Sequence, residues 1–244
     1  QITNKLSYKM SFVNFSANDW EYIEDDEKKA HFAPWLNDDD DLIDLLDGYL
    51  EDGLAWWDGW DLKIDRDGNG TVDTIYSKSD NLVKDRNSDG LNDIPDFKIK
   101  NQRFDIRLDY DFSEDHFTSF NFGQAKATNL NITGIGRYQA NDWVYRFYQA
   151  RWVYNNWFAQ AYLNTSNSGQ TSNLRTGGIV TDRSTFFHFQ FQHSRDFKKL
   201  WNTKFIWGGD YQRTMPETFG TILPDGTGGL NPKSYGRDGI DNDG

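Results

Sequence analysis

The sequence predicts an all-β chain, an antiparallel transmembrane β-barrel segment interrupted by one long, acidic, partly helical loop. Three observations predict it. Apolar and polar residues alternate with period two over most of the chain, the connections between alternating segments are short and long in turn, and the acidic residues are concentrated in one insertion.

The alternation is clearest between Phe104 and Phe112. Phe104, Ile106, Leu108, Tyr110 and Phe112 take one side of an extended chain, and Asp105, Arg107, Asp109 and Asp111 take the other. Leu6, Tyr8, Met10 and Phe12 alternate in the same way with Lys5, Ser7, Lys9 and Ser11, as do Phe187, Phe189 and Phe191 with His188, Gln190 and Gln192. Between residues 142 and 154 the pattern is weaker, since neither set of alternate residues is cleanly apolar. Strands are expected near 5–14, 104–112, 117–127, 142–153, 157–166, 184–194 and 203–213. Seven strands are too few to close a large barrel, so the expectation is a segment of one.

Short turns are expected at Ser113–His116, Tyr154–Asn156 and around Arg195–Asn202, and long connections over 15–102, 128–141, 167–183 and from 214 onward. A hairpin series with short turns at one end and long loops at the other is how outer-membrane barrels are built. Aromatic residues make up 16% of the chain, and Trp143, Trp152, Trp157, Trp201 and Trp207 fall near strand ends, where interfacial girdles form. On this reading residues 1–14 are a barrel strand, 15–102 an extracellular insertion, 103–216 strands and hairpins, and 217–244 a further extracellular loop. The polar faces then offer Arg107, Asp109, Arg151, His188, Gln190 and Lys204 to the lumen. A soluble β-sandwich or small barrel would share the alternation, and differs in burying one face.

The formal charge is -12, which argues against a nucleic-acid partner. Residues 19–100 hold 24 of the 38 acids against nine Lys and Arg, a net of -15. Within them, Asp65-Arg-Asp-Gly-Asn-Gly-Thr-Val-Asp73 and Asp85-Arg-Asn-Ser-Asp-Gly-Leu-Asn-Asp93 repeat one spacing, with oxygen side chains at positions 1, 3, 5 and 9 and glycine at position 6. Calcium takes six to eight hard oxygen ligands, and alternate carboxylates around a tight glycine turn wrap them about one ion. The expected calcium ligands are Asp65, Asp67, Asn69, Asp73 and the Thr71 carbonyl in the first loop. In the second they are Asp85, Asn87, Asp89, Asp93, Asp96 and the Leu91 carbonyl. Asp96 stands at position 12, where a bidentate carboxylate completes such a site; the first loop has Tyr76 there. Asp238-Gly-Ile-Asp-Asn-Asp-Gly244, with Asp241 and Asp243, looks like a third loop of this kind. The expectation is a piece of a longer protein.

Upstream of these loops, Leu42, Ile43, Leu45, Leu46, Tyr49 and Leu50 follow Asp38–Asp41 at helical spacing, with Gly53 placed to end the helix. This stripe, with Trp56, Trp57 and Trp60, is expected to form the core of a small loop domain. There is no cysteine, so metal ions would replace disulfides as staples. No nucleophile elbow, zinc-protease motif or phosphate loop occurs, and His31, His116, His188 and His193 are scattered, so catalysis is not expected.

The strand sequences Phe104-Asp-Ile-Arg-Leu-Asp-Tyr-Asp-Phe112, Asn131-Ile-Thr-Gly-Ile-Gly-Arg-Tyr-Gln139, Asp142-Trp-Val-Tyr-Arg-Phe-Tyr-Gln-Ala-Arg151, Phe158-Ala-Gln-Ala-Tyr-Leu-Asn164 and Gly209-Asp-Tyr-Gln-Arg-Thr-Met-Pro-Glu-Thr218 cover about half of the chain. They resemble the barrel of TonB-dependent outer-membrane receptors, especially the carboxypeptidase-regulatory-like group of Bacteroidota-type bacteria. The resemblance implies a 22-stranded barrel closed by an N-terminal plug and importing a scarce ligand with energy from the periplasmic TonB system. Its implied partners are membrane lipid, the TonB system through regions outside this chain, and a surface lipoprotein. A reading of a different class is a calcium-dependent surface adhesin or binding module without transport.

Overall fold

The computed structural model describes residues 4–38, 42–86, 88, 90, 92–133, 136–197 and 203–222. Seven long strands follow one another in an antiparallel meander: β1 (Leu6–Asn18), then after the insertion β5 (Lys98–Ser113), β6 (His116–Thr133), β7 (Gly136–Tyr154), β8 (Trp157–Asn167), β11 (Thr185–Phe197) and β12 (Thr203–Met215). They pair in that order, and β1 and β12 form the two edges of an open sheet. A short hairpin, β9 (Thr171–Asn173) and β10 (Ile179–Val180), joins the sheet where Tyr138 pairs with Asn173.

Register explains why the alternation matters, because directly opposed residues of neighbouring strands share a face. One hydrogen-bonded row runs Met10, Ile106, Phe122, Tyr148, Leu163, Phe187. The next runs Tyr8, Leu108, Phe120, Ala150, Ala161, Phe189, Tyr211. The apolar sets of separate strands thus merge into one face across the whole sheet. Register also resolves the weak pattern of β7, since Tyr148, Ala150, Trp152 and Tyr154 take this face, and Arg146 and then Asp142 at the bulge interrupt it toward the long-loop end. Phe104 to Phe112 covers about 26 Å along the strand, or about 20 Å across a sheet tilted by roughly 40°, close to the height of a barrel's lipid-facing band.

This face is uncovered. Phe120 is 55% and Tyr211 54% exposed, and no residue of the two rows is among the buried hydrophobics. Eight of those form the insertion core, and Ala140, Leu174 and Val180 lie at the long-loop end. A sandwich core is therefore absent from the described strands.

At the short-turn end of the face the aromatic rings run into one another. Phe112 stacks on His116 at 4.2 Å, His116 meets Trp152 and Tyr154, and Trp157 stacks on His193 at 4.0 Å beside Trp207. The indole N–H groups donate to imidazole nitrogens, Trp152 Nε1 to His116 Nε2 at 3.1 Å and Trp207 Nε1 to His193 Nδ1 at 3.0 Å. Trp143 lies elsewhere: it is on the polar face, where its Nε1 donates to Ser166 Oγ. Trp201 lies outside the described residues.

Three boundaries differ from the sequence expectation. β1 and β5 remain paired as far as Asn18 and Lys98, so the insertion is 19–97. The pairs Asn14–Gln102, Ser16–Lys100 and Asn18–Lys98 are polar, and a hydrophobic period cannot register them. The long loop expected over 128–141 is instead a continuing hairpin, with β6 and β7 paired to Thr133 and Gly136. A register shift between Ala127 and Asn129 marks a bulge, where Asp142 has φ 61 and its backbone N–H donates to Thr128 Oγ1. Asn, Thr and Gly residues read as a loop here because their turn preference is strong, but ladder pairing overrides it. The strands are also longer, up to 19 residues, than the nine to twelve of the expected ranges.

The insertion folds around its own core. Helix α1 (Asp25–Asp38), helix α2 (Leu42–Glu51), a three-stranded sheet of β2 (Ala55–Asp58), β3 (Asp61–Ile64) and β4 (Thr74–Tyr76), and the short helix α3 (Lys78–Asn81) follow in order. α2 forms where the stripe is expected and buries Leu42 and Leu46, with Ile43, Tyr49 and Leu50 packed against the core and Gly53 at φ 73 beyond its end, but Leu45 of the expected stripe turns outward. Residues 39–41 lie outside the described set. α1 is not legible as an amphipathic helix because its inward stripe is Glu27, His31, Phe32 and Leu36, half of it polar. Trp57 and Trp60 pack against the core, while strand alternation turns Trp56 outward.

Candidate metal centre and polar face

The first acidic loop links β3 to β4, so both of its ends are fixed by a strand pair. Ligand oxygens of Asp65, Asp67 and Asp73 all lie within 4.8 Å of one another, and Asp65 is buried. Two oxygens bound to one calcium at 2.3–2.6 Å stand at most about 5 Å apart, so the triad has the right span. The backbone wraps inward: Gly70 N–H donates to Asp65 Oδ2 at 2.8 Å, Asn69 N–H to Asp65 Oδ1 at 3.2 Å, and Arg66 N–H to Asp73 Oδ2 at 2.7 Å. Each carboxylate oxygen has a second lone-pair site left for a cation. Gly70 takes φ 85, the left-handed turn that position 6 demands. Thr71 N–H donates to Asn69 Oδ1 at 2.8 Å. These residues form a carboxylate cluster that could hold a metal ion, and its all-oxygen donors suit a hard one.

The second loop repeats the same bonds. Gly90 N–H donates to Asp85 Oδ2 at 2.9 Å and Arg86 N–H to Asp93 Oδ2 at 2.9 Å, and Gly90 has φ 84. Asn87, Asp89 and Leu91 lie outside the described residues, as do Asp241 and Asp243. Asp93 is 1% exposed and its Oδ1 accepts no hydrogen bond from the described residues, while Arg86 Nε approaches Oδ2 at 3.5 Å. Asp96 is exposed, and its Oδ1 accepts from Lys98 N–H at 3.1 Å. Among the described residues Asp85, Asp93 and Asp96 do not form a three-carboxylate group like that of the first loop.

Both loops belong to a body tied to the sheet's long-loop end, in a way the sequence does not signal. Arg86 donates through Nη1 and Nη2 to the Arg175 and Leu174 carbonyls, each at 2.6 Å. Asp96 N–H donates to Gln139 Oε1 at 2.8 Å. Arg137, on β7 beyond the bulge, donates to Glu27 Oε2 and to the Tyr22 carbonyl, both at 2.9 Å. Burial raises the Glu27 carboxyl above its ordinary value, an effect the adjacent Arg137 opposes without cancelling.

The six lumen candidates all fall on the face opposite the apolar one. Arg107 Nε donates to both oxygens of Asp109 at 2.8 Å, and the Arg151 guanidinium lies between the Phe117 and Phe158 rings at 5.6 and 5.2 Å. His188 contacts the Tyr162 ring and stands 3.5 Å from Asp210. Gln190 pairs with Gln160 and Asp210, and Lys204 with Asp196. The Phe147 ring lies over Gly123 on this face, where an added Cβ would come within 2.2 Å of it. The face carries paired polar side chains, among them Ser11, whose Oγ donates to Asp105 Oδ2 at 3.2 Å.

No family model matches the chain, and no curated protein or solved structure shows significant similarity to it.

Proposed function

We propose that the chain is part of the wall of an outer-membrane receptor of the TonB-dependent type, which imports a scarce ligand, and that its insertion is a calcium-stabilised extracellular cap. The observation that carries the membrane reading is the uncovered, mostly apolar face carried through seven paired strands, backed by a polar face and edged at the short-turn end by aromatic rings. Lipid is the environment that such a face requires, because water on both sides would leave it exposed. The sheet edges at β1 and β12 would continue into further strands of the barrel. Import rests on the resemblance of the strand sequences, and the polar face would border the lumen.

Calcium rests on the paired loops. Asp65, Asp67, Asn69 and Asp73, with the Thr71 carbonyl, would hold one ion, and Asp85 and Asp93 belong to the second set. The ion supplies charge neutralisation and a rigid fold, and no substrate chemistry is assigned to it.

Labelling of intact cells tests the topology. A cysteine placed at Asn69 or Ser168 should react with an impermeant reagent from outside, and one at Glu114 should not; the reverse pattern overturns the orientation. The complete reading frame tests the class, since an import receptor requires a plug and a TonB box upstream. A secreted, detergent-free protein would instead identify a calcium-dependent surface module.

A further inference from the structure

The apolar face also carries a charge pattern that a membrane-spanning wall does not by itself require. In a chain of net charge -12, the described residues of this face include cations from four strands, Lys98, Lys100, Lys126, Arg146 and Arg213, toward its long-loop end, against Arg195 at the short-turn end. Register sets four of them on rows between Lys98 and Phe104 of β5: Lys98 and Lys100 oppose Asn18 and Ser16, Lys126 opposes Gln102, and Arg146 opposes Gln124, while Arg213 opposes Phe187. The one described carboxylate on this face of the seven strands is Asp142 at the bulge, whose Oδ1 lies 3.0 Å from Lys126 Nζ. The opposite face of the same strands holds Asp105, Asp109, Asp111, Asp196 and Asp210 interleaved with Lys9, Arg103, Arg107, Arg151 and Lys204. Both faces have cations, and almost all the acids have gone to one of them.

We infer that the margin formed by Lys98, Lys100, Lys126 and Arg146 docks the phosphate groups of anionic membrane lipid at the long-loop end of the apolar band. The inference rests on the membrane-spanning reading and adds a lipid preference to it. Charge complementarity selects this occupant. A zwitterionic headgroup carries an ammonium beside its phosphate and would gain from interspersed carboxylates, whereas a headgroup of net negative charge is repelled by them. Long Lys and Arg stems can lie along the band while their charged ends reach headgroup depth. Arg146 Nε is held by Gln124 Oε1 at 2.7 Å, which positions its guanidinium at the margin and leaves its terminal nitrogens for a phosphate.

The test uses the whole chain reconstituted into vesicles of phosphatidylcholine with a minority of phosphatidylglycerol, followed by native mass spectrometry of the lipid it retains. The expected result is phosphatidylglycerol enriched about threefold or more over its bulk fraction, with the enrichment lost in high salt. Lys98→Gln with Lys100→Gln should lower it, and adding Arg146→Gln should bring it near the bulk ratio. Lys9→Gln with Arg103→Gln, which removes equal charge from the other face, should leave it unchanged. Retained lipid at the bulk ratio in the unaltered chain overturns the inference, as does an equal loss from both sets of variants. Tryptophan quenching by brominated phosphatidylcholine separates the two claims. Quenching without a phosphatidylglycerol preference overturns this inference alone, and absence of quenching overturns the membrane-spanning reading with it.

Discussion

Arg137 and Glu27, 110 residues apart in sequence, meet at 2.9 Å with side chains 9% and 2% exposed, and so fasten the insertion's first helix to the sheet's longest strand. Neither charge could be left there alone. The pair fixes the insertion to the long-loop end of the sheet, with Arg86 and Gln139 as further ties.

Removing one partner should release the cap. Arg137→Met leaves a buried carboxylate and should cost about 3–5 kcal/mol of docking, whereas Arg137→Met with Glu27→Leu should recover most of it. Hydrogen exchange over 19–97 measures this; equal losses from the single and double variants would refute the coupling.

Chelation should increase protease cleavage between residues 60 and 100, since unscreened carboxylates repel one another across each loop. Asp67→Ala should have the same local effect and leave the strands paired. Unchanged cleavage after chelation would remove calcium from the account.

Acidification should loosen the insertion core through His31. The ring is fully buried, its Nδ1 lies 2.6 Å from the Val83 carbonyl and so carries the proton, and its Nε2 meets no acceptor among the described residues. Burial accordingly lowers its pKa below the ordinary imidazole value. A base with a depressed folded-state pKa contributes stability above its unfolded value, and loses it as pH falls through the folded value. Glu27 acts in the opposite sense, its raised carboxyl contributing most below about 4.5 and losing that contribution as pH rises through its folded value. From pH 7.5 to 5.5 the His31 contribution should therefore raise proteolysis of the insertion, and His31→Gln should remove that rise and leave only the opposing Glu27 contribution. A profile identical in the variant would exclude the imidazole as its source.

A charge on the apolar face should be costly where the matching change on the other face is mild. Leu108→Arg should destabilise a membrane-folded form by about 2–4 kcal/mol near the bilayer midplane, and Asp109→Asn by under about 1 kcal/mol. Denaturant unfolding in lipid compares them, and similar costs would contradict the assignment of faces.

Much of this architecture is written locally. Period-two alternation determines that Phe104 to Phe112 has one apolar face, whatever surrounds it, because side chains of a strand point alternately to its two sides. The oxygen spacing around Gly70 and Gly90 likewise dictates how each loop folds, since a short loop can satisfy its N–H groups on its own carboxylates. Tertiary structure alone decided the rest. The β6–β7 hairpin runs on through Asn and Thr residues because a partner strand is present, and α1 forms over Glu27 and His31 because Arg137 and the Val83 carbonyl receive them. Such partners lie 52 and 110 residues away, beyond the reach of any local period, and a buried polar group finds its free energy only when that distant partner arrives.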